Sequence, residues 1–96
     1  MNLCITDFDL SSESFKNDFR GLPGQVKDHF KERYKLLLQR PQPKKLRLEK
    51  LGGYSKPGIY TIHITPNHSH KLSFELIGST AKFRRIGTHK LIDRTP

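Results

Sequence analysis

Apolar residues recur at three- and four-residue spacing in the first 40 positions and at every second position afterwards, so the chain divides into a helical part and a strand part. Residues 3–6, LCIT, form a short apolar run suited to a first strand. Ser11 or Ser12 can cap a helix that carries Phe15 and Phe19 on one face, and Gly21, Leu22 and Pro23 end it. From Gly24 to Arg40 a second helix is predicted. Val26, Phe30, Tyr34, Leu37 and Leu38 draw its apolar stripe, with Lys27, Lys31, Glu32 and Lys35 pointing away. The two helices make a hairpin that must cover something.

Proline at 41 and 43 forbids continuation of that helix, because proline has no amide proton and restricts the residue before it. The period then becomes two. Leu46 and Leu48 oppose Lys45, Arg47 and Glu49; Tyr60, Ile62 and Ile64 oppose Thr61, His63 and Thr65. Leu72, Phe74 and Leu76 oppose Lys71, Ser73 and Glu75, and Ala81 and Phe83 oppose Lys82 and Arg84. These stretches predict an α+β fold, with a short N-terminal strand and a helical hairpin packed on one side of a small antiparallel sheet. No linker or repeat divides the sequence, so residues 1–96 are expected to form a single domain.

Turn chemistry sets a register. Gly78-Ser79 has the glycine-first signature of a two-residue hairpin, which places Ile77 opposite Thr80, Glu75 opposite Lys82 and Ser73 opposite Arg84. With residues 66–70 as the preceding loop, His63 faces Ser73 and Lys71 lies one diagonal step away. His63, Ser73 and Arg84 would then share a row on the uncovered face of the sheet. A slip of one residue would exchange the faces of Arg84 and Arg85.

Composition adds a partner. Lys and Arg number 18 against 9 Asp and Glu, a formal net charge of +9, which favours a polyanion such as nucleic acid, an anionic membrane surface or an acidic protein. A single cysteine, Cys4, rules out an internal disulfide framework and fits a reducing compartment. No apolar run of about 20 residues is present to span a bilayer, and the first ten residues lack a secretory pattern. A cytoplasmic protein without a membrane partner is expected.

Three of the five histidines fall within HITPNHSHK, residues 63–71. Structural zinc usually needs four Cys or His ligands, and the lone Cys4 is remote with no metal-ligand spacing around it, so neither a metal nor another cofactor is expected. His68 is expected in solvated loop, and His70 with it. His63 is raised above a surface residue by its cationic neighbours Lys71, Arg84 and Arg85. Cations near a neutral imidazole lower its pKa and attract phosphate. That combination suits RNA cleavage: one group accepts the 2′-hydroxyl proton, another protonates the leaving 5′-oxygen, and fixed cations stabilise the phosphorane. The bland alternative is a basic sheet that binds RNA or an acidic partner without cutting.

The stretches RLEKLGG, GIYTIHITPN, KLSFEL and STAKFRRIGTHKLID resemble the RelE/ParE superfamily of bacterial toxins, and the order of elements fits it. Within it the chain is most similar to YafQ-like messenger-RNA endonucleases, which share an HI-x-P strand end and a terminal GTH. The resemblance implies the RelE-like microbial ribonuclease fold. It also implies that His63 and His89 divide the general base and acid roles, with His89 the acid. Lys71 falls where many members carry a phosphate-binding arginine, so the charge is kept and the bidentate fork lost. Asn67 stands in place of an aspartate, Glu49 or Lys50 in place of a histidine, and Asp93 in place of an aromatic residue that holds RNA.

The expected catalytic set is therefore His63, His89, Lys71 and Arg84, with RNA contacts from Lys45, Arg47, Lys50, Asn67, Lys82, Arg85 and Asp93. The function implied is that of a type II toxin-antitoxin toxin, an endoribonuclease cutting messenger RNA on the ribosome by metal-independent transesterification. An acidic antitoxin would mask the basic surface in a hetero-oligomer. Two alternatives remain: a ParE-like gyrase inhibitor, which does not need the histidine pair, and a degenerate binding protein, which Asn67 and Asp93 would favour.

Overall fold

The computed structural model describes residues 2–55 and 58–96, with the backbone alone for Tyr54 and Ser55. Strand β1 (Asp7–Asp9) is followed by α1 (Glu13–Arg20) and α2 (Gly24–Arg33). Two 3₁₀ turns, Tyr34–Leu38 and Lys44–Leu46, lead to β2 (Glu49–Ser55), β3 (Gly58–His63), β4 (His70–Ile77), β5 (Thr80–Thr88) and α3 (His89–Arg94). The strands form one sheet in the order β1-β5-β4-β3-β2. Pairing from β2 to β5 is antiparallel as expected, but β1 joins β5 in parallel, so the sheet is mixed.

Four local expectations are corrected. The first strand is Asp7–Asp9 rather than residues 3–6, because the Gln42 side chain satisfies the Leu3 backbone on both sides, accepting its N–H at 2.8 Å and donating to its carbonyl at 2.7 Å. The second helix stops at Arg33 and tightens to 3₁₀, which turns Leu37 into the core and leaves Leu38 45% exposed. Leu46 and Leu48 do face inward, yet they precede the strand: Leu46 ends a 3₁₀ turn and Arg47 adopts the left-handed conformation with φ 48°. Finally, a C-terminal helix, α3, follows directly on β5 with Thr88 as its cap, the Thr88 hydroxyl accepting the Leu91 N–H at 3.3 Å.

The core on the helical side is aromatic. Ser12 caps α1 by accepting the Phe15 N–H, which starts the helix in phase to point Phe15 and Phe19 at the sheet. Phe30 lies 5.7 Å from Phe15, 5.3 Å from Phe19, 5.0 Å from Tyr34 and 5.8 Å from Phe83, ring centre to ring centre. Fully burying one such ring stabilises the fold by about 1.5–3 kcal/mol. At the open edge of β5, Asp18 of α1 accepts the Ile86 N–H at 3.2 Å and both arms of the Arg85 guanidinium, so the helix also hydrogen-bonds to the sheet.

The opposite face was expected to be uncovered. Instead α3 packs on it against β4 and β5, and Ile92 is completely buried there. Ser73, Lys71, Thr61 and His63 on this face are buried, with at most 7% of their surface exposed. Gly87 admits the helix closely, since a Cβ at that position would stand 2.8 Å from Leu91.

Candidate active site

The β3–β4 connection sets the partners of His63. The His68 N–H donates to the Thr65 carbonyl at 3.0 Å, and His68 takes φ 60°, the pattern of a three-residue hairpin loop closed by a left-handed residue. His63 therefore pairs with Lys71, and Thr61 with Ser73, two residues away from the expected register. A slide of two preserves the faces of the strands while changing the neighbours. On the far side of β4 the expected Ile77–Thr80 and Glu75–Lys82 pairs are present, but a bulge follows and Ser73 pairs with Arg85 rather than Arg84. The proposed row of His63, Ser73 and Arg84 does not exist.

Four elements bring a polar cluster together at one end of the sheet: His63 from β3, His68 from the turn, Lys71 from β4, and His89 with Asp93 from α3. The His63 ring stands 4.9 Å from that of His68 and 5.3 Å from that of His89, edge to face in both cases. His63 and His68 meet through their Nδ1 atoms at 3.0 Å. Asp93 spans the other two groups, with one oxygen 2.7 Å from Lys71 Nζ and the other 2.7 Å from His89 Nδ1. Helical spacing explains this last contact, because residues four apart share a face. The His63 and His89 rings thus both engage through Nδ1 and leave Nε2 without a hydrogen-bond partner among the described residues.

Charge and burial differentiate these groups. Burial first, then Lys71, then the neighbouring histidines and Arg47, push His63 down to about 4, so it is neutral at pH 7. His68 is also lowered, by desolvation and then by Arg47 and Arg33. Asp93 is held below the usual carboxylate range by its bond to Lys71 first, with His89 adding to it, and remains ionised. A neutral imidazole and a second imidazole anchored on a carboxylate are the components of paired acid–base chemistry.

The other expected residues are placed elsewhere. Arg84 is not brought to the cluster: its guanidinium is bound to Glu75 and donates to the Pro96 carbonyl at 3.2 Å. Arg85 is committed to Asp18 at the sheet edge. Lys82 lies across from Asp9 at the other end of β5, while Lys45, Arg47 and Lys50 are exposed around the start of β2. Arg47 is the one of these whose charge reaches His63 and His68. Asn67 sits on the turn and accepts the Ser69 N–H at 3.1 Å. Asn67 brings no carboxylate to the cluster; the carboxylate there is Asp93 of α3, which contacts Lys71 and His89. His68 was expected to be solvated loop and is a member of the cluster; the left-handed turn that brings it there has no signature in the sequence. His70 points away and bonds Ser69 at 2.7 Å. Among the described residues no group of three or more His, Cys, Asp or Glu is arranged to hold a metal ion, and no helix is long and apolar enough to cross a membrane.

Solved structures share this architecture. A RelB–RelE antitoxin–toxin complex from Methanococcus jannaschii matches at TM-score 0.67 and 25% identity over 95% of this chain and 100% of the other. YafQ from E. coli strain BL21(DE3) matches at TM-score 0.70 and 23% identity, covering 90% and 96%. An archaeal RelE–RelB complex from Pyrococcus horikoshii OT3 gives 0.66 at 15% identity, covering 92% and 96%. No protein-family model matches the chain, and no curated protein does. The fold is that of the RelE toxins, YafQ among them, and the resemblance read from the sequence holds in three dimensions.

Proposed function

We propose that this protein is the toxin of a type II toxin-antitoxin pair and cleaves messenger RNA on the ribosome by metal-independent transesterification. The observation that carries this reading is the His63, His68, Lys71, His89 and Asp93 cluster, assembled from four elements at one end of a basic sheet. The RelE–RelB complexes among the structural neighbours support an antitoxin as the second partner. A net charge of +9 suits a chain that approaches both ribosomal RNA and such an antitoxin.

His63 acts as the base in the tautomer that donates Nδ1–H to His68 and keeps a lone pair on Nε2. The 3.0 Å contact between the two Nδ1 atoms is compatible with that tautomer. At about 4 the free imidazole is a weak base, and an arriving phosphate opposes the field of Lys71 and Arg47 and strengthens it. As Nε2 takes the 2′-hydroxyl proton, the 2′-oxygen attacks phosphorus. His89, oriented by Asp93 through Nδ1, delivers a proton from Nε2 to the departing 5′-oxygen, which leaves a 2′,3′-cyclic phosphate. Lys71 supplies positive charge to the phosphorane once substrate phosphate competes with Asp93 for it. The ribosome supplies much of the substrate positioning.

A second reading, a non-catalytic binder of antitoxin or RNA, is favoured by the pairing of Lys71, Arg84 and Arg85 with carboxylates. Induced expression in bacteria separates the two, with growth and messenger-RNA 5′ ends followed for wild type, His63→Ala and His89→Ala. New ends within translated frames, lost in both variants, are expected. Arrest without new ends would transfer the case to gyrase or another target, and no arrest would favour the binder.

A further inference from the structure

The turn that presents His68 to the catalytic cluster has a second flank. There a cleft of about 370 Å³ opens between α2 and the β3–β4 turn, within the range of small-molecule sites. Pro23, Val26 and Pro66 give it apolar walls, and Gln25, His29 and Asn67 bring polar groups to it. Thr65 and Ser69 also reach the cleft but spend their hydroxyls on each other at 3.1 Å. By contrast, the Gln25 amide, the His29 ring and the Asn67 Nδ2 donate or accept no hydrogen bond among the described residues.

We infer that this cleft is a nucleobase-binding pocket, which takes an unpaired RNA base next to the scissile phosphate and so sets sequence preference. The inference rests on the endonuclease reading and deepens it. Its physical basis is the match between the walls and the ligand. A base has two apolar faces and a polar edge, and sequence-specific recognition of single-stranded RNA stacks the faces and hydrogen-bonds the edge. Pro23, Val26 and Pro66 suit the faces. The carboxamides of Gln25 and Asn67 offer donor and acceptor groups side by side, and the His29 ring adds either one.

Position connects the pocket to the chemistry. Asn67 and His68 are adjacent, yet Asn67 borders the cleft while the His68 ring touches His63. The left-handed backbone at His68, φ 60°, produces this divergence. Helix α2 lies on the aromatic side of the sheet and His63 on the side covered by α3. An RNA strand that crosses the turn with its phosphate at His63 and His89 therefore directs a neighbouring base to the α2 side. The cluster reads phosphate and ribose, which every nucleotide has; discrimination requires a separate contact of this kind.

The test is a titration of the full chain with each of the four nucleoside 3′-monophosphates, following the His29 ring and Asn67 side-chain signals by NMR alongside those of His63 and His89. At least one nucleotide is expected to move the His29 and Asn67 signals and to bind more tightly than the others by about tenfold. The Gln25→Ala/His29→Ala variant, with far-UV circular dichroism as the control for folding, should bind all four alike. Shifts confined to the histidine cluster, or a base preference unchanged in the variant, would overturn the pocket while leaving the endonuclease reading intact. Occupation of the cleft by one nucleotide in a protein that cuts no RNA on expression would overturn the endonuclease and retain a base-selective nucleotide site.

Discussion

Lys71 and Asp93 form an ion pair 2.7 Å long in which the lysine side chain is only 6% exposed and the aspartate 46%. One partner comes from the middle of the sheet and the other from the last turn of the chain, so the pair fastens α3 to β4. It also sets a carboxylate against the buried charge of Lys71.

Removing Asp93 should therefore cost more than removing Lys71. Asp93→Ala leaves a buried ammonium without its carboxylate. Exposure of the aspartate lets water compensate, which brings the expected loss to about 1–2 kcal/mol rather than the ~3–5 of a fully buried pair. Lys71→Met removes the charge and keeps the stem, so it should be closer to wild type. Urea unfolding midpoints at pH 7 would show this, and equal losses in the two variants would mean that the pair carries no such asymmetry.

Stability should fall with acid in two stages. The folded protein holds His63 at about 4 against an ordinary 6.5, so folding favours its neutral form. That contribution is complete above pH 6.5 and disappears as pH falls towards 4; the shift corresponds to roughly 3 kcal/mol. Asp93 is also depressed, so its contribution is present above the ordinary carboxylate value and is lost as pH falls below it. Chemical unfolding of wild type and His63→Gln between pH 7 and about 4 would resolve the first stage. A His63→Gln protein as acid-sensitive as wild type in that range would refute the assignment.

The His68 ring should control the pH dependence of cleavage. Its charge helps to hold His63 down, and its Nδ1 lies 3.0 Å from that of His63. His68→Ala should move the acid limb of kcat/KM to higher pH, because the base then deprotonates less readily, and should lower the maximal rate. A lower rate with an unmoved limb would reduce His68 to a packing role.

Thr88 should matter to activity without touching substrate. Its hydroxyl caps a helix of six residues, too short to persist on propensity alone, that carries both His89 and Asp93. Thr88→Ala should cost about 1 kcal/mol of stability and Thr88→Ser much less. Cleavage by Thr88→Ala should drop while Thr88→Ser retains it. Identical turnover in both would show that α3 docks independently of its cap.

The sequence made the elements and their faces legible, because period and parity are local. Phe15, Phe30 and Phe83 on one side and His63, Lys71 and Ser73 on the other follow from spacing alone, and the Glu75–Lys82 pair follows from a two-residue turn. His63 and Lys71 could be singled out as candidates from the residues alone, whereas His89 entered only through the resemblance carried by GTH. Partners were less accessible. The left-handed residue in the β3–β4 turn moved His63 from Ser73 to Lys71, and one bulge exchanged Arg84 for Arg85.

What the sequence determined by itself was the α+β composition and the aromatic core face. Tertiary structure alone decided that α3 would fold over the second face, that Asp93 would meet both Lys71 and His89, and that His68 would join His63. Periodicity selects which way a side chain points, an effect of the local backbone. Which group it meets depends on turn closure, a bulge and the docking of a helix far along the chain, where the energy of contact exists only once the fold has formed.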